Sequence, residues 1–133
     1  MIEQLSIPVR GQGLYQITAE VTPVVAGCDR DKGLCTLFIR HTSASLLIQE
    51  SYDDSARVDL ENWLNRLVPE RDDLYTHTLE GDDDMPSHIK SALTATQLSI
   101  PFQHGKLLLG TWQGIYLWEH RHHPGTRQLV IHL

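Results

Sequence analysis

Residues 75–90 read YTHTLEGDDDMPSHIK. Gly81 and the acids on either side of it read as a loop, and Pro86 reads as the opening of a helix. Ile89, Ala92, Leu93 and Thr96 continue that helix at i, i+3, i+4 and i+7. Helix therefore sits between an early part with strands of its own and a strand-rich last third. That order of elements predicts an α+β fold.

Working upstream, Leu5, Ile7 and Val9 alternate with Ser6, Pro8 and Arg10, the period of a half-buried strand. Pro8 cannot donate to a ladder, which places this strand at an edge or leaves it paired on one side only there. Leu14–Ile17 leads into a helix capped by Thr18, striped by Val21, Val24 and Val25, and ended by Gly27. Pro23 is expected in or near its first turn. Residues 34–40, LCTLFIR, form a strand with Cys35, Leu37, Ile39 and then His41 on one face. Ala44–Glu50 reads as another strand, expected to pair with the first around His41-Thr42-Ser43. Asp53 and Asp54 open a helix that Pro69 stops. Its stripe is Val58, Leu60, Trp63, Leu64 and Leu67, with Glu61 and Arg66 on the solvated side.

Downstream, Leu98, Ile100 and Phe102 alternate, Gln103-His104-Gly105 turns the chain, and Lys106–Gly110 returns. After TWQG at 111–114, the strand 115–121 carries Tyr116, Trp118 and His120 on one face. Ile115, Leu117, Glu119 and Arg121 lie on its other face. The terminal strand sets Leu129, Ile131 and Leu133 together. The expected architecture is a mixed or antiparallel, sandwich-like sheet core with two to three helices, in one domain over residues 1–133.

Composition narrows the function. With 41% hydrophobic and 21% charged residues the chain is globular rather than disordered. A net charge of −6 argues against nucleic-acid binding through phosphate neutralisation. No apolar run is long enough for a bilayer, so no membrane role is expected. The opening residues MIEQLSIPVR lack a cationic segment followed by an apolar one, as in a secretory leader. Cys28 and Cys35 match neither a CxxC pair nor a zinc knuckle and read as thiols of a cytoplasmic protein.

The chemistry-bearing residues gather around residues 75–90. Asp82, Asp83 and Asp84 either hold a hard divalent ion such as Mg²⁺ against a phosphate or cap the helix that follows. His77, His88 and His120 are metal-ligand candidates, with His41 a fourth. Glu119 and Arg121 form either an ion pair or an outer carboxylate and a phosphate clamp. Ser43 lies outside any GxSxG elbow, and the phosphate-binding glycine motifs are absent.

HTSASL at 41–46, EGDDDMPSHIKS at 80–91 and GTWQGIYLWEHR at 110–121 together closely resemble the YjbQ-like family. The resemblance implies an α+β fold assembled as a homotrimer. It also implies a secondary, weak thiamine-phosphate synthase activity, joining a pyrimidine diphosphate to a thiazole phosphate with release of diphosphate. The shared residues fall on His41, Thr42, Ser43, Glu50, Asp53, His77, Glu80, Asp83, Asp84, His88, Lys90, Gln113, Glu119, His120 and Arg121. The resemblance assigns His77, Asp84, His88 and His120 to a divalent metal, zinc or magnesium. It assigns His41, Ser43, Glu80, Asp83, Lys90, Glu119 and Arg121 to catalysis on a small phosphorylated metabolite, with Lys90 and Arg121 meeting phosphate. Gln49 stands where Asn is expected, and Thr94-Ala95 replaces an expected Leu-Gly. The alternatives are a metal-dependent phosphohydrolase and a non-catalytic binding module for a phosphorylated metabolite.

Overall fold

The period-2 stretches assemble into two antiparallel sheets. The computed structural model describes residues 1–133. In chain order the elements are β1 (Ile2–Val9), β2 (Gly13–Gln16), α1 (Thr18–Ala26), β3 (Lys32–Ile39), β4 (Ala44–Glu50) and α2 (Asp54–Leu67). They continue with α3 (Asp84–Leu93), β5 (Gln97–Gln103), β6 (Lys106–Leu107), β7 (Gln113–Glu119) and β8 (Gly125–His132). The larger sheet runs β1-β8-β3-β5-β6 and the smaller one β2-β7-β4. This is the expected α+β class, with every pairing antiparallel.

The core lies between the sheets. Ile7, Cys35, Leu37, Ile39, Phe102, Leu129 and Ile131 of the larger sheet meet Ala44, Leu46, Ile115 and Leu117 of the smaller one. Val21 and Val25 of α1 join the same cluster. Apolar residues at alternate positions thus reach one side of each sheet, as the period requires. The smaller sheet is buried on both faces. Its outer side carries Leu14, Tyr116 and Trp118 against Leu64 and Val68 of the α2 region. β1 pairs only with β8, so Pro8 does lie on an edge strand. Between β5 and β6, His104 and Gly105 both take positive φ, 53° and 73°, as a tight two-residue hairpin turn requires.

Several expectations are corrected. β3 and β4 do not pair: β3 lies between β5 and β8, and β4 pairs with β7. Residues 41–43 are a crossing from one sheet to the other, because both edges of β3 are already occupied. Thr18 is the first residue of α1 rather than its cap. Its hydroxyl oxygen instead accepts from the Ile115 amide at 2.9 Å. Pro23 sits inside α1 on an exposed side, while Val21 and Val25 anchor the opposite face. The return after Gly105 is only the two-residue β6.

The helices differ most. In α2 only Leu64 is buried; Val58, Trp63 and Leu67 face outward, because a three-stranded sheet covers a narrow stripe. Glu61, expected in solvent, accepts the Leu14 amide at 3.3 Å. The expected stripe of α3 is inverted: Ala92, Leu93 and Thr96 are exposed and Ile89 is half-buried, while Asp84, Ser87, Lys90 and Ser91 are buried. The reason is that α3 packs near the free edge of β4, where backbone groups lack sheet partners. Ser91 Oγ donates to the Ala44 carbonyl at 3.1 Å, and Ala95 O accepts the Leu46 amide at 2.7 Å.

Candidate functional site

The loop before α3 turns at Gly81, whose φ of +110° suits glycine. A Cβ there would stand 3.1 Å from Asp83 Oδ1. The turn lets the Glu80 carbonyl reach the Arg121 guanidinium, which donates to it from Nη2 at 2.8 Å. Arg121 also donates from Nε to Asp83 Oδ2 at 3.0 Å and from Nη1 to Asp84 Oδ1 at 2.5 Å. Asp83 and Asp84 are buried, so neither is a solvated acid. Asp83 is the residue before α3 but makes no side-chain cap; its Oδ2 also accepts the His122 amide at 2.8 Å. Burial raises the Asp83 pKa, but the His122 amide and Arg121 outweigh it and hold the carboxyl below its ordinary value. Asp82 stays exposed, 3.7 Å from Arg71.

With Oδ1 held by Arg121, Asp84 presents Oδ2 to two imidazoles. His77 Nε2 lies 2.7 Å away and His88 Nε2 3.3 Å away. The three donor atoms lie within 4.8 Å of one another. His88 Nδ1 is 2.9 Å from the Thr42 carbonyl oxygen. A carbonyl only accepts, so Nδ1 carries the hydrogen and Nε2 of the neutral ring turns a lone pair toward Asp84. Two lone pairs face each other there, a repulsive contact unless a positive charge, a proton or a metal ion, lies between them. Two imidazole nitrogens and a carboxylate oxygen are donors that a divalent ion such as zinc takes.

His77 and His88 border a groove of about 660 Å³, lined also by His41, Thr42, Met85, Ser91, Ala92 and Thr96. His41 enters it from the crossing between the sheets. Burial, then the charge of Arg127, lowers its pKa.

Other expected site residues sit elsewhere. His120 is fully buried against Trp118, with Nε2 2.9 Å from Ser45 Oγ and Nδ1 without a partner. Burial, then the charges of Lys90 and Arg127, pushes its pKa down to about 3. It lies outside the His77–Asp84–His88 cluster. Lys90 points inward and donates to Asn65 Oδ1 at 2.6 Å. Burial lowers its pKa against the raising effect of Glu70 and Asp83. Glu119 is gripped by Arg127 through both oxygens, from Nε at 2.6 Å and Nη2 at 2.5 Å. Arg127 Nη2 also donates to Ser43 Oγ at 2.8 Å. Glu80 contributes its carbonyl, and its side chain is exposed. Arg127 matches none of the sequence motifs. Its signal was its place on β8, where positions 127, 129 and 131 share a face that is otherwise Leu and Ile.

The model of the family described as UPF0047 protein YjbQ-like matches residues 3–133. The chain belongs to this family. It is 47% identical to a UPF0047 protein of Synechocystis sp. over 98% of this chain and 89% of that protein. It is 42% identical to UPF0047 protein YjbQ of Escherichia coli O157:H7, over 97% of this chain and 94% of that one. Two solved structures share the fold. A conserved hypothetical protein of Thermus thermophilus matches with a TM-score of 0.88 at 33% identity, covering 98% of both chains. A YjbQ/UPF0047 family protein of Clostridium acetobutylicum matches with a TM-score of 0.89 at 30% identity, again over 98% of both. No helix of this UPF0047 chain is long and apolar enough to cross a membrane.

Proposed function

We propose that His77, Asp84 and His88 hold a divalent ion, zinc or magnesium, and that the groove beside them takes a small phosphorylated metabolite. The observation that carries this reading is the hydrogen bond from His88 Nδ1 to the Thr42 carbonyl. A ligating imidazole is ordinarily oriented through its second nitrogen in this way, and Arg121 orients Asp84 likewise through Oδ1. Three protein ligands would leave room on a bound ion for a further donor. When bound, the ion supplies positive charge for phosphoryl oxygens. The chain's own nearby cations are engaged elsewhere: Arg121 by Asp83, Asp84 and Glu80, and Lys90 by Asn65. In this reading Arg121 and Glu119 are positioning residues, and His120 serves the fold beneath the site.

The leading activity is the one implied by the family resemblance, secondary thiamine-phosphate synthase. The thiazole nitrogen forms a bond to the pyrimidine methylene carbon as the bond from that carbon to diphosphate breaks. Met85 and Ala92 give the groove a nonpolar wall suited to such rings. The second reading is a metal-dependent phosphohydrolase, favoured by the same open coordination. We further propose the homotrimer implied by the resemblance. Its support is the apolar surface the single chain exposes at Val58, Trp63, Leu67 and Leu93.

Elemental analysis of tag-free protein beside His88→Ala tests the metal. Near-stoichiometric zinc or a similar ion is expected in the parent and its loss in the variant; no metal in either, with Mg²⁺ added, sinks the reading. Product analysis then separates the activities. A synthase yields one joined product per diphosphate released, a hydrolase only phosphate, and a binding module neither.

A further inference from the structure

His41 and His88 line one groove, and the main chain fixes the hydrogen on each ring with opposite consequences. In His88, Nδ1–H is engaged by the Thr42 carbonyl, which leaves an Nε2 lone pair. In His41 the Gln128 amide donates to Nε2 at 2.8 Å. An amide N–H only donates, so Nε2 must accept and the ring hydrogen sits on Nδ1. The lone pair that a metal or a transferred proton would need is occupied. Nδ1 has no partner within the chain and is not sealed from solvent.

We infer that His41 is a hydrogen-bond donor of the groove, presenting Nδ1–H to an anionic oxygen of a phosphoryl ligand, and is neither a general base nor a metal ligand. The ligand class rests on the proposed function above; the donor assignment rests on the Gln128 contact alone. The groove lining supports it. No Lys or Arg is among the lining residues. The Ser91 hydroxyl is already donating to Ala44. Apart from the rotatable hydroxyls of Thr42 and Thr96 and the ring of His77, which meets Asp84 and no main-chain group, His41 is the lining donor held in direction by a main-chain contact. A neutral imidazole held in this way stabilises oxygen charge without giving up a proton, as a preorganised donor does. Burial and Arg127 favour the neutral ring.

The test has two readouts. Long-range proton–nitrogen NMR of protein labelled with ¹⁵N-histidine, its His41 signals identified by their loss in His41→Asn, reports the tautomer directly. The expected pattern is a protonated Nδ1 and an unprotonated Nε2, unchanged when one equivalent of zinc is added. A protonated Nε2, or an Nδ1 that loses its hydrogen to zinc, overturns the assignment. Calorimetric titration with inorganic phosphate reports the function. His41→Ala should bind at least about tenfold more weakly, the scale of one hydrogen bond to a charged group. His41→Asn should recover most of that loss, because its amide N–H falls near the position of Nδ1 and cannot act as a base. Equal affinity in parent and His41→Ala, no recovery in His41→Asn, or no phosphate binding by the parent overturns the inference. Zinc content read alongside separates the two claims. If no variant holds zinc while His41→Ala still loses phosphate, the metal reading fails and His41 stands as donor.

Discussion

Between the sheets, Leu37, Leu117 and Ile131 are packed as tightly out of water as any residue in the chain. On the inner side of α3 and beneath it, Asp84, Lys90, Glu119 and His120 are buried almost as deeply, but their neighbours are Arg121, Arg127, Ser45 and Asn65. The first region coheres through area removed from water, which has no direction and tolerates exchange of similar shapes. The second coheres through charge pairs and hydrogen bonds, which have direction and leave a costly orphan when one partner is lost. The groove with its His–Asp–His cluster lies over the second region. A layer held by directed bonds sets where a carboxylate oxygen points; an apolar layer does not.

The largest effect expected from breaking this contrast is at Arg121. Arg121→Ala strands the two buried carboxylates and should cost about 3–5 kcal/mol in urea unfolding. Adding Asp83→Asn and Asp84→Asn to the same chain should return much of it. A loss under ~1 kcal/mol would show that the charged layer does not hold α3 in place. In the apolar region, Leu117→Ala should cost about 2–5 kcal/mol through its cavity, yet leave the proposed metal content the same as in the parent. Loss of metal in that variant would erase the distinction between the regions.

Acid sharpens the contrast through His120. Its pKa is about 3 when folded, against an ordinary 6.5. Below about pH 6.5 the unfolded chain therefore binds a proton that the native ring refuses. Stability falls by about 1.4 kcal/mol per pH unit as pH drops from there toward the folded value. The depressed Asp83 adds a further loss below about pH 4, once its unfolded carboxyl begins to protonate. Urea midpoints measured from pH 7 to pH 5 should slope accordingly, and His120→Gln should reduce the slope to the part that the lowered pKa of His41 contributes; an unchanged slope rejects the assignment to His120. The smallest effect belongs to the outer surface. Trp63→Ser, at a residue 50% exposed, should change the stability of the single chain by under ~0.5 kcal/mol. Sedimentation of the same variant shows whether that face holds the proposed trimer together.

The sequence by itself determined which residues face inward along a strand. Period-2 alternation placed Cys35, Leu37 and Ile39 on one face and Leu129, Ile131 and Leu133 on another, and all are buried. It also determined local stops and starts: Asp53 caps α2 by accepting the Ser55 amide at 2.9 Å, and Gly27 closes α1. These are legible because the responsible atoms lie within a few residues of one another. His77, Asp84 and His88 stood out by residue type, near one another along the chain.

Only the tertiary structure decided which strands are partners, which side of α3 is inside, and which charges meet. β3 and β4 are neighbours in sequence yet belong to different sheets, since pairing depends on edges supplied by β5, β7 and β8. The family resemblance casts Lys90 and Arg121 as phosphate contacts. They turn inward because Asn65, Asp83 and Asp84 arrive from other elements. The proton positions on His41 and His88 depend on backbone groups 87 and 46 residues away along the chain. No local pattern carries such information, because a hydrogen bond is set by distance and direction in space rather than by order along the chain.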